Sequence, residues 1–121
     1  MLSTIGQISM NAHDIDRATT FYTDTLGMKL LFRAGGMSFF DCDGVRLMLS
    51  KPEKPEYDHP GSVLYFKSPD IQQTHRALGE RGVTFLGDPH PIARMPDHEL
   101  WMAFFKDTEG NTLALMEERR S

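Results

Sequence analysis

The densest group of chemically capable side chains lies between Pro89 and Trp101. Histidine is the side chain most often used as a general acid or base near neutral pH, so His98 is the candidate catalytic residue. Arg94 carries a planar guanidinium that can bind a carboxylate or a phosphate with two hydrogen bonds. The alternatives are a hydrogen-bonded histidine at the start of a strand and a solvated loop arginine.

The other reactive side chains give weaker signals. Cys42 directly precedes a hairpin and has no base near it in sequence, which does not favour a nucleophile. A metal site made of His90, His98 and Glu99 would match no established ligand spacing. The remaining histidines stand beside prolines or at helices and are predicted to be exposed: His13, His59, His75 and His90.

The sequence patterns of the secondary-structure elements that must position these residues occur twice in the chain. An Asp-x-x-Gly pattern at 41–44 recurs at 107–110, and each copy follows a Met-x-Phe-Phe segment. Each half also has an Asp-Ile pair that opens a helical run ending at a glycine, at 14–27 and 70–82. This duplication predicts a single domain over residues 1–121, with two strand–helix–strand–strand–strand modules. The modules span about 4–54 and 61–117, and a proline-rich linker covers about 51–61.

The strand predictions follow alternation of apolar and polar residues and the turn residues between them. Residues 87–98 contain three prolines and are predicted to be a long loop, and the charged tail 117–121 is predicted to fray. The predicted strands are 4–12, 28–33, 37–40 and 45–50 in the first module, and 63–67, 83–86, 100–106 and 112–117 in the second.

One face of each predicted sheet is apolar and must pack on its helix. The opposite face carries polar and soft side chains: Gln7, Ser9, Asn11, Arg46, Met48 and Thr112. Two such curved sheets side by side would enclose a cleft, and the alternative is a face that is simply wet. Alternation along the seventh strand puts His98, Leu100, Met102 and Phe104 on one face and Glu99, Trp101 and Phe105 on the other.

Two segments carry a resemblance to a known family. Residues 14–27, with Asp-Ile-Asp-Arg-Ala, Phe-Tyr and Leu-Gly, resemble the opening signature of the vicinal oxygen chelate superfamily. Residues 104–111 resemble its closing signature, although Thr108 stands where that signature has proline. The family includes glyoxalase I, bleomycin-resistance proteins and extradiol dioxygenases. The resemblance spans about 4–117 and implies an α+β fold of paired βαβββ modules, a partial-barrel cleft and a homodimer.

The resemblance also implies a divalent metal held by four strands. Carried over by position, its ligands fall on Gln7, on Met48, on Ser62 or Val63, and on Ala114. A methionine thioether is a soft ligand, and valine and alanine have no ligating atom. Since a catalytic metal needs about three protein ligands, we expect neither this metal nor another cofactor.

The composition of the chain narrows the possible partners and the cellular location of the protein. The 121 residues carry a net charge of −4 with scattered Lys and Arg, so we expect no nucleic-acid partner. The start lacks the pattern of a signal peptide, no apolar run is long enough to span a membrane, and the single cysteine suits a reducing compartment. These features predict a cytoplasmic protein that does not act at a membrane.

The sequence thus leads to three functional hypotheses. The first is a small-molecule-binding protein whose cleft holds an aromatic or partly apolar ligand, with these contacts: Gln7, Met48, Arg94, His98, Met102 and Phe104. The second is a glyoxalase-like lyase or isomerase, in which His98 moves a proton next to a carbonyl and Arg94 steadies the anion. The third is a structural or partner-binding module.

Overall fold

The computed structural model describes residues 1–120 and separates into two units. The first unit runs from Met1 to Gly61 and contains one four-stranded sheet in the order β1-β4-β3-β2. Strand β1 runs parallel to β4, and the other neighbours are antiparallel. Its elements are β1 (Gln7–Asn11), α1 (Ile15–Thr20) with a π-helical continuation (Phe21–Thr25), β2 (Lys29–Ala34), β3 (Met37–Cys42), β4 (Val45–Ser50) and a 3₁₀ turn (Pro55–Tyr57).

The second unit begins at Ser62 and repeats this arrangement. Its sheet has the order β5-β8-β7-β6, again with one parallel pair, β5 and β8. Its elements are β5 (Leu64–Lys67), α2 (Ile71–Glu80), β6 (His90–Arg94), β7 (His98–Lys106) and β8 (Thr112–Arg120). The predicted α+β fold of two βαβββ modules is confirmed.

The repeated aspartates start both helices. The carboxylate of Asp14 accepts a hydrogen bond from the Arg17 N–H at 3.1 Å, and that of Asp70 accepts one from the Gln73 N–H at 3.2 Å. Each bond satisfies a backbone donor that has no partner within the helix, which is what an N-cap residue does.

The repeated Asp-x-x-Gly segments close both β-hairpins. In the first, the Asp41 carboxylate accepts a hydrogen bond from the Gly44 N–H at 3.1 Å. In the second, Oδ1 of the buried Asp107 accepts bonds from the Glu109 and Asn111 N–H groups, both at 2.8 Å. Gly44 and Gly110 have φ angles of 91° and 82°, a region that side chains with a Cβ disfavour.

The first unit buries its core between α1 and one face of its sheet. Tyr22 lies 5.7 Å from the Phe40 ring, and its hydroxyl approaches Met10 Sδ at 3.8 Å. Leu47 and Leu49 alternate along β4 on this same side and are almost fully buried. The face away from α1 therefore carries the other alternating set, which includes Gln7, Arg46 and Met48. We call it the first open face.

In the second unit too, the helix packs on one face of the sheet and leaves the opposite face open. The Glu117 carboxylate accepts a hydrogen bond from the Ile71 N–H at 2.8 Å, which places Glu117 on the α2 side of β8. The ring of Phe105 contacts Phe85, which in turn packs on His75 of α2. The second open face, on the side away from α2, therefore carries these residues: Tyr65, Lys67, His98, Leu100, Met102, Phe104, Ala114, Met116, Glu118 and Arg120.

One strand prediction and one loop prediction in the second unit are wrong. Residues 83–86 form a single bridge between Phe85 and Phe105, and the second strand of this unit is instead β6, inside the predicted loop 87–98. Pro91 is tolerated there because β6 is an edge strand, and the register shifts between Pro91 and Ala93. The predicted fraying is also wrong for 117–120, which belong to β8, while Ser121 lies outside the described residues.

Thr108 gives a test of the second hairpin. Its hydroxyl is the one buried side-chain polar atom without a hydrogen-bond partner in residues 1–120. An unsatisfied buried hydroxyl costs about 1–3 kcal/mol. We predict that Thr108→Val raises the free energy of unfolding by about 1 kcal/mol in urea titrations. Thr112→Val is the matched control, because the Thr112 hydroxyl accepts a hydrogen bond from Lys106 and should give no gain. A less stable Thr108→Val protein would contradict the prediction.

Candidate functional site

A row of side chains crosses all four strands on the first open face. The Nε of Arg46 donates a 2.8 Å hydrogen bond to Gln7 Oε1, and the Gln7 amide nitrogen lies 3.8 Å from Met48 Sδ. The Arg46 guanidinium stands over the Phe39 ring, 5.3 Å from its centroid. Phe39 is in turn stacked on Phe32 with a centroid distance of 4.5 Å. The first open face is thus ordered by contacts between its own side chains.

A cavity of about 660 Å³ opens next to this row, at the carboxyl ends of β1 and β4. Its apolar lining includes Met37, Met48 and Pro52, and polar residues complete the wall. The lining residues are Ser9, Met10, Asn11, Gly36, Met37, Met48, Ser50, Lys51, Pro52, Glu53, Tyr57, His59 and Gly61. We call it the methionine cavity.

The linker 51–61 forms one wall of the methionine cavity. The Asn11 side-chain amide donates to the backbone carbonyl of Tyr57 at 2.5 Å and to that of His59 at 3.2 Å. His13 contacts the Asp58 carboxylate at 2.8 Å. Two residues at and just after the end of β1 therefore hold the linker against the first sheet.

The positions that the family resemblance gives to metal ligands fall in both units. In the first, the Gln7 carbonyl oxygen is used by Arg46, and Met48 offers a thioether. In the second, Ala114 is fully buried, and neither it nor Val63 has a ligating side-chain atom, while Ser62 in the alternative register offers a hydroxyl. Within residues 1–120, no group of three or more His, Cys, Asp or Glu side chains is placed to hold a metal ion.

His98 starts β7 on the second open face and is largely buried. Its Nδ1 lies 2.7 Å from Asp97 Oδ1, and its Nε2 lies 3.8 Å from Glu118 Oε2. Arg120 contacts the same two carboxylates, at 2.6 Å from Asp97 and 3.6 Å from Glu118. The hydrogen bond from His98 lowers the pKa of Asp97, and the charges of His98 and Arg120 act in the same direction. The imidazole thus has a carboxylate near each ring nitrogen.

The other residues of the second unit that the sequence predicts as ligand contacts lie on both sides of its sheet. Phe104 and Met102 share the second open face with His98, and Phe104 packs edge-on against Tyr65 at 6.0 Å. Arg94 is exposed and lies opposite Glu99 in the register of β6 and β7. The Glu99 carboxylate accepts a hydrogen bond from the Trp101 indole on the α2 side. The register therefore places Arg94 on the opposite side of the sheet from His98.

A smaller cavity of about 370 Å³ occupies the repeat-equivalent place in the second unit, at the carboxyl ends of β5 and β8. Its lining is more strongly charged than that of the methionine cavity: Lys67, Ser68, Pro69, Met116, Glu118 and Arg120. The duplicated scaffold therefore forms a cavity at the same point in each unit, and side chains make the two cavities chemically different.

The cysteine environment does not favour nucleophilic chemistry. Burial raises the pKa of the Cys42 thiol, and the negative charges of Asp41 and Asp43 raise it further. A thiol with a raised pKa holds less thiolate at neutral pH, and the thiolate is the nucleophile.

Sequence reasoning placed Arg46 on the open face without assigning it a role. Its contacts with Gln7 and Phe39 depend on strand register and on the lean of long side chains, which alternation does not provide. The linker residues Lys51, Tyr57 and His59 were also missed as cavity residues. The one signal for them is Asn11, a polar residue ending a strand beside a proline-rich segment.

Comparison with known proteins agrees with this architecture. The sequence model of the Glyoxalase/Bleomycin resistance protein/Dioxygenase superfamily matches residues 4–115. A glyoxylase-like domain-containing protein of Didymella fabae is 32% identical over 121 residues, covering 92% of this chain and 91% of that protein.

Solved structures show the same fold. A superfamily member from Sphaerobacter thermophilus has a TM-score of 0.79 at 24% identity, covering 97% of this chain and 98% of that one. TnmS3, an antibiotic binding protein from Streptomyces sp. CB03234, has a TM-score of 0.77 at 24% identity, with 97% of each chain covered. The chain belongs to the Glyoxalase/Bleomycin resistance protein/Dioxygenase superfamily. No helix in residues 1–120 is long and apolar enough to cross a membrane.

Asn11→Ala tests the attachment of the linker. The two hydrogen bonds from Asn11 to the linker, at about 0.5 kcal/mol each, together shift an opening equilibrium about five-fold. We therefore predict about five-fold faster chymotrypsin cleavage after Tyr57 in the folded variant. Ser9→Ala, which alters the same cavity without removing a contact to the linker, should be cleaved at the wild-type rate. Equal cleavage of both variants would mean that Asn11 does not hold the linker.

Asp97 gives a pH-dependent prediction. Because its native pKa is lowered, the carboxylate stabilises the fold above its unfolded pKa of about 3.9, and this contribution is lost as pH falls through the native value. Asp97→Asn should thus lower the Tm slightly at pH 6, and the difference should shrink below about pH 4. Asp88→Asn is the control, because Asp88 is also exposed and lacks the contacts that Asp97 makes with His98 and Arg120. A difference between wild type and Asp97→Asn that grows on acidification would contradict the sign.

Proposed function

We propose that this protein binds a small aromatic or partly apolar molecule on the first open face, without the metal of its family. The observation that carries the proposal is the methionine cavity. Its volume of about 660 Å³ lies within the ~300–1,000 Å³ of typical small-molecule sites. Methionine side chains adapt to irregular apolar shapes and contact aromatic rings favourably. Polar groups at the rim, such as Asn11, Ser50 and Lys51, would fix the orientation of the ligand.

Donor chemistry supports binding without a metal. A catalytic divalent ion needs about three protein ligands. The four family positions offer one amide oxygen, one thioether and two hydrocarbon side chains. In the alternative register, a serine hydroxyl replaces one of the two hydrocarbon side chains. The amide oxygen of Gln7 is already engaged by Arg46. The same fold occurs in an antibiotic binding protein, which supports a binding role without naming the ligand. In the second unit, His98, Met102 and Phe104 share the second open face and are proposed as contacts of a ligand on that face. Arg94 is not among them, because its register partner Glu99 lies on the α2 side.

A neutral fluorescent probe, N-phenyl-1-naphthylamine, tests the cavity. We predict saturable binding whose affinity is unchanged by EDTA or by added Zn²⁺, Ni²⁺ or Mn²⁺. Met48→Lys should weaken binding at least ten-fold, because it places a charge in the apolar part of the cavity. Met95→Lys is the control, since Met95 is exposed in the second unit. Unsaturable binding, or equal binding by both variants, would remove the basis of the proposal.

Metal analysis tests the second half of the proposal. Protein purified without an affinity tag or chelator is predicted to contain well under one equivalent of Zn, Ni, Mn or Fe by mass spectrometry. A near-stoichiometric content of any of these metals would show that the family metal function is retained.

A second candidate function rests on one specific contact. Asp97 holds His98 through a 2.7 Å hydrogen bond, and an oriented imidazole is the usual group for removing a proton next to a carbonyl. This geometry supports the lyase or isomerase alternative. Exchange of carbonyl-adjacent protons of small hydroxyketones in D₂O, lost in His98→Gln and kept in His90→Gln, would establish it. Identical exchange with and without protein would refute this enzymatic alternative and leave ligand binding as the proposed function.

We also propose that one domain spans residues 1–121 and acts as a homodimer in the cytoplasm. Strand β2 leaves Leu30, Leu31 and Phe32 partly exposed, an apolar surface that association would remove from water. Light scattering of the purified chain measures the mass directly, and a mass of one chain at micromolar concentration would oppose the homodimer.

A further inference from the structure

Arg46 is held in place on two sides. Its Nε donates to Gln7 Oε1 at 2.8 Å, and its guanidinium lies over the Phe39 ring. Phe39 is fixed by its stack on Phe32. A guanidinium held by a hydrogen bond and an aromatic face has lost much of its freedom before any ligand arrives, so less entropy is lost when it binds one.

The outer edge of this guanidinium remains available. Among residues 1–120, no hydrogen bond or ion pair is made by Nη1 or Nη2 of Arg46, which is exposed. Asp41, its partner across β3 and β4, directs Oδ1 to the Gly44 N–H instead. Arginine has five N–H donors, and only the one on Nε is used here. The two Nη groups therefore present a fork that matches a planar oxyanion.

We propose that the Arg46 fork binds the carboxylate of an aromatic ligand whose ring extends past Met48 into the methionine cavity. Arg46 and Met48 point to the same face of β4, about 7 Å apart along the strand. This inference rests on the proposed function and specifies the chemistry of its ligand. A singly charged carboxylate is favoured over a doubly charged phosphate because Asp41, opposite Arg46 on β3, places a negative charge beside the fork.

Three probes of similar shape test the fork: 2-naphthoate, 2-naphthamide and 2-naphthyl phosphate, titrated against the whole chain by calorimetry. We predict that naphthoate binds about ten-fold or more tightly than naphthamide, as expected for a charge-assisted bidentate contact. We also predict that it binds more tightly than the phosphate ester. Equal affinity for naphthoate and naphthamide, or tighter binding of the ester, would overturn the inference.

Variants separate the fork from simple surface charge. Arg46→Met should abolish the preference for naphthoate, and Arg46→Lys should keep only a small part of it, because an ammonium keeps the charge without the fork. Gln7→Leu should reduce the preference several-fold, since Gln7 acts as a positioning residue for Arg46. Arg76→Met, at an exposed position on α2, should behave as wild type. A preference that survives Arg46→Met would show that Arg46 merely covers Phe39.

The neutral probe keeps this test distinct from that of the proposed function. If N-phenyl-1-naphthylamine binds wild type and Arg46→Met equally while naphthoate loses its advantage in the variant, both proposals are supported. If the neutral probe binds and naphthoate has no advantage in wild type, only the fork is refuted. If neither binds, the cavity itself is not a ligand site, and both proposals fail.

Discussion

The register of the parallel pair β1–β4 is the constraint on which the rest of the first unit depends. It sets Gln7 opposite Arg46 and Met10 opposite Leu49. Because side chains alternate along a strand, a slip of one residue would turn Met10 toward the open face and bring Ser9 against α1. The contact of the Tyr22 hydroxyl with Met10 Sδ would then be lost, although Phe40 on β3 would keep its place. The packing of α1 therefore fixes, on the other side of the sheet, which polar side chains meet.

The same devices build both units, yet the open faces differ in chemistry. Asp14 and Asp70 cap the helices, and Asp41 and Asp107 close the hairpins, so the repeated aspartates maintain the scaffold. The open faces are under no such restriction, since neither helix packs on them. The first combines amide, guanidinium and thioether groups. The second is apolar around Phe104 and Met102, with ionisable side chains grouped at His98, Glu118 and Arg120. The two units thus share the residues that cap helices and close hairpins, and they differ at the positions on the open faces.

Sequence predicted most of the fold because the decisive signals were local: turn glycines, capping aspartates and alternating apolar residues. It failed at β6 because three prolines in 87–98 resemble a loop, whereas an edge strand with a register shift accommodates one of them. At the candidate site, sequence placed Gln7 and Met48 on one face. It could not show that Arg46 leans over Phe39, that Asn11 holds the linker, or that Arg94 lies across from Glu99. Each of these depends on register and side-chain direction, which arise only after the strands have paired.

The hydrogen bond between Arg46 and Gln7 bears on how this scaffold would bind a ligand without a metal ion. At the position that the family resemblance gives to a metal ligand, the Gln7 oxygen accepts a hydrogen bond from a guanidinium. A guanidinium supplies positive charge and directed donors, which are sufficient to hold a planar oxyanion. Arginine remains protonated and has no open coordination position, so it neither activates a bound water nor exchanges ligands as a metal does. Under the carboxylate proposal, Arg46 takes the place of a coordinated cation on the first open face. It would keep the electrostatic recognition of an anion and would not act as a Lewis acid.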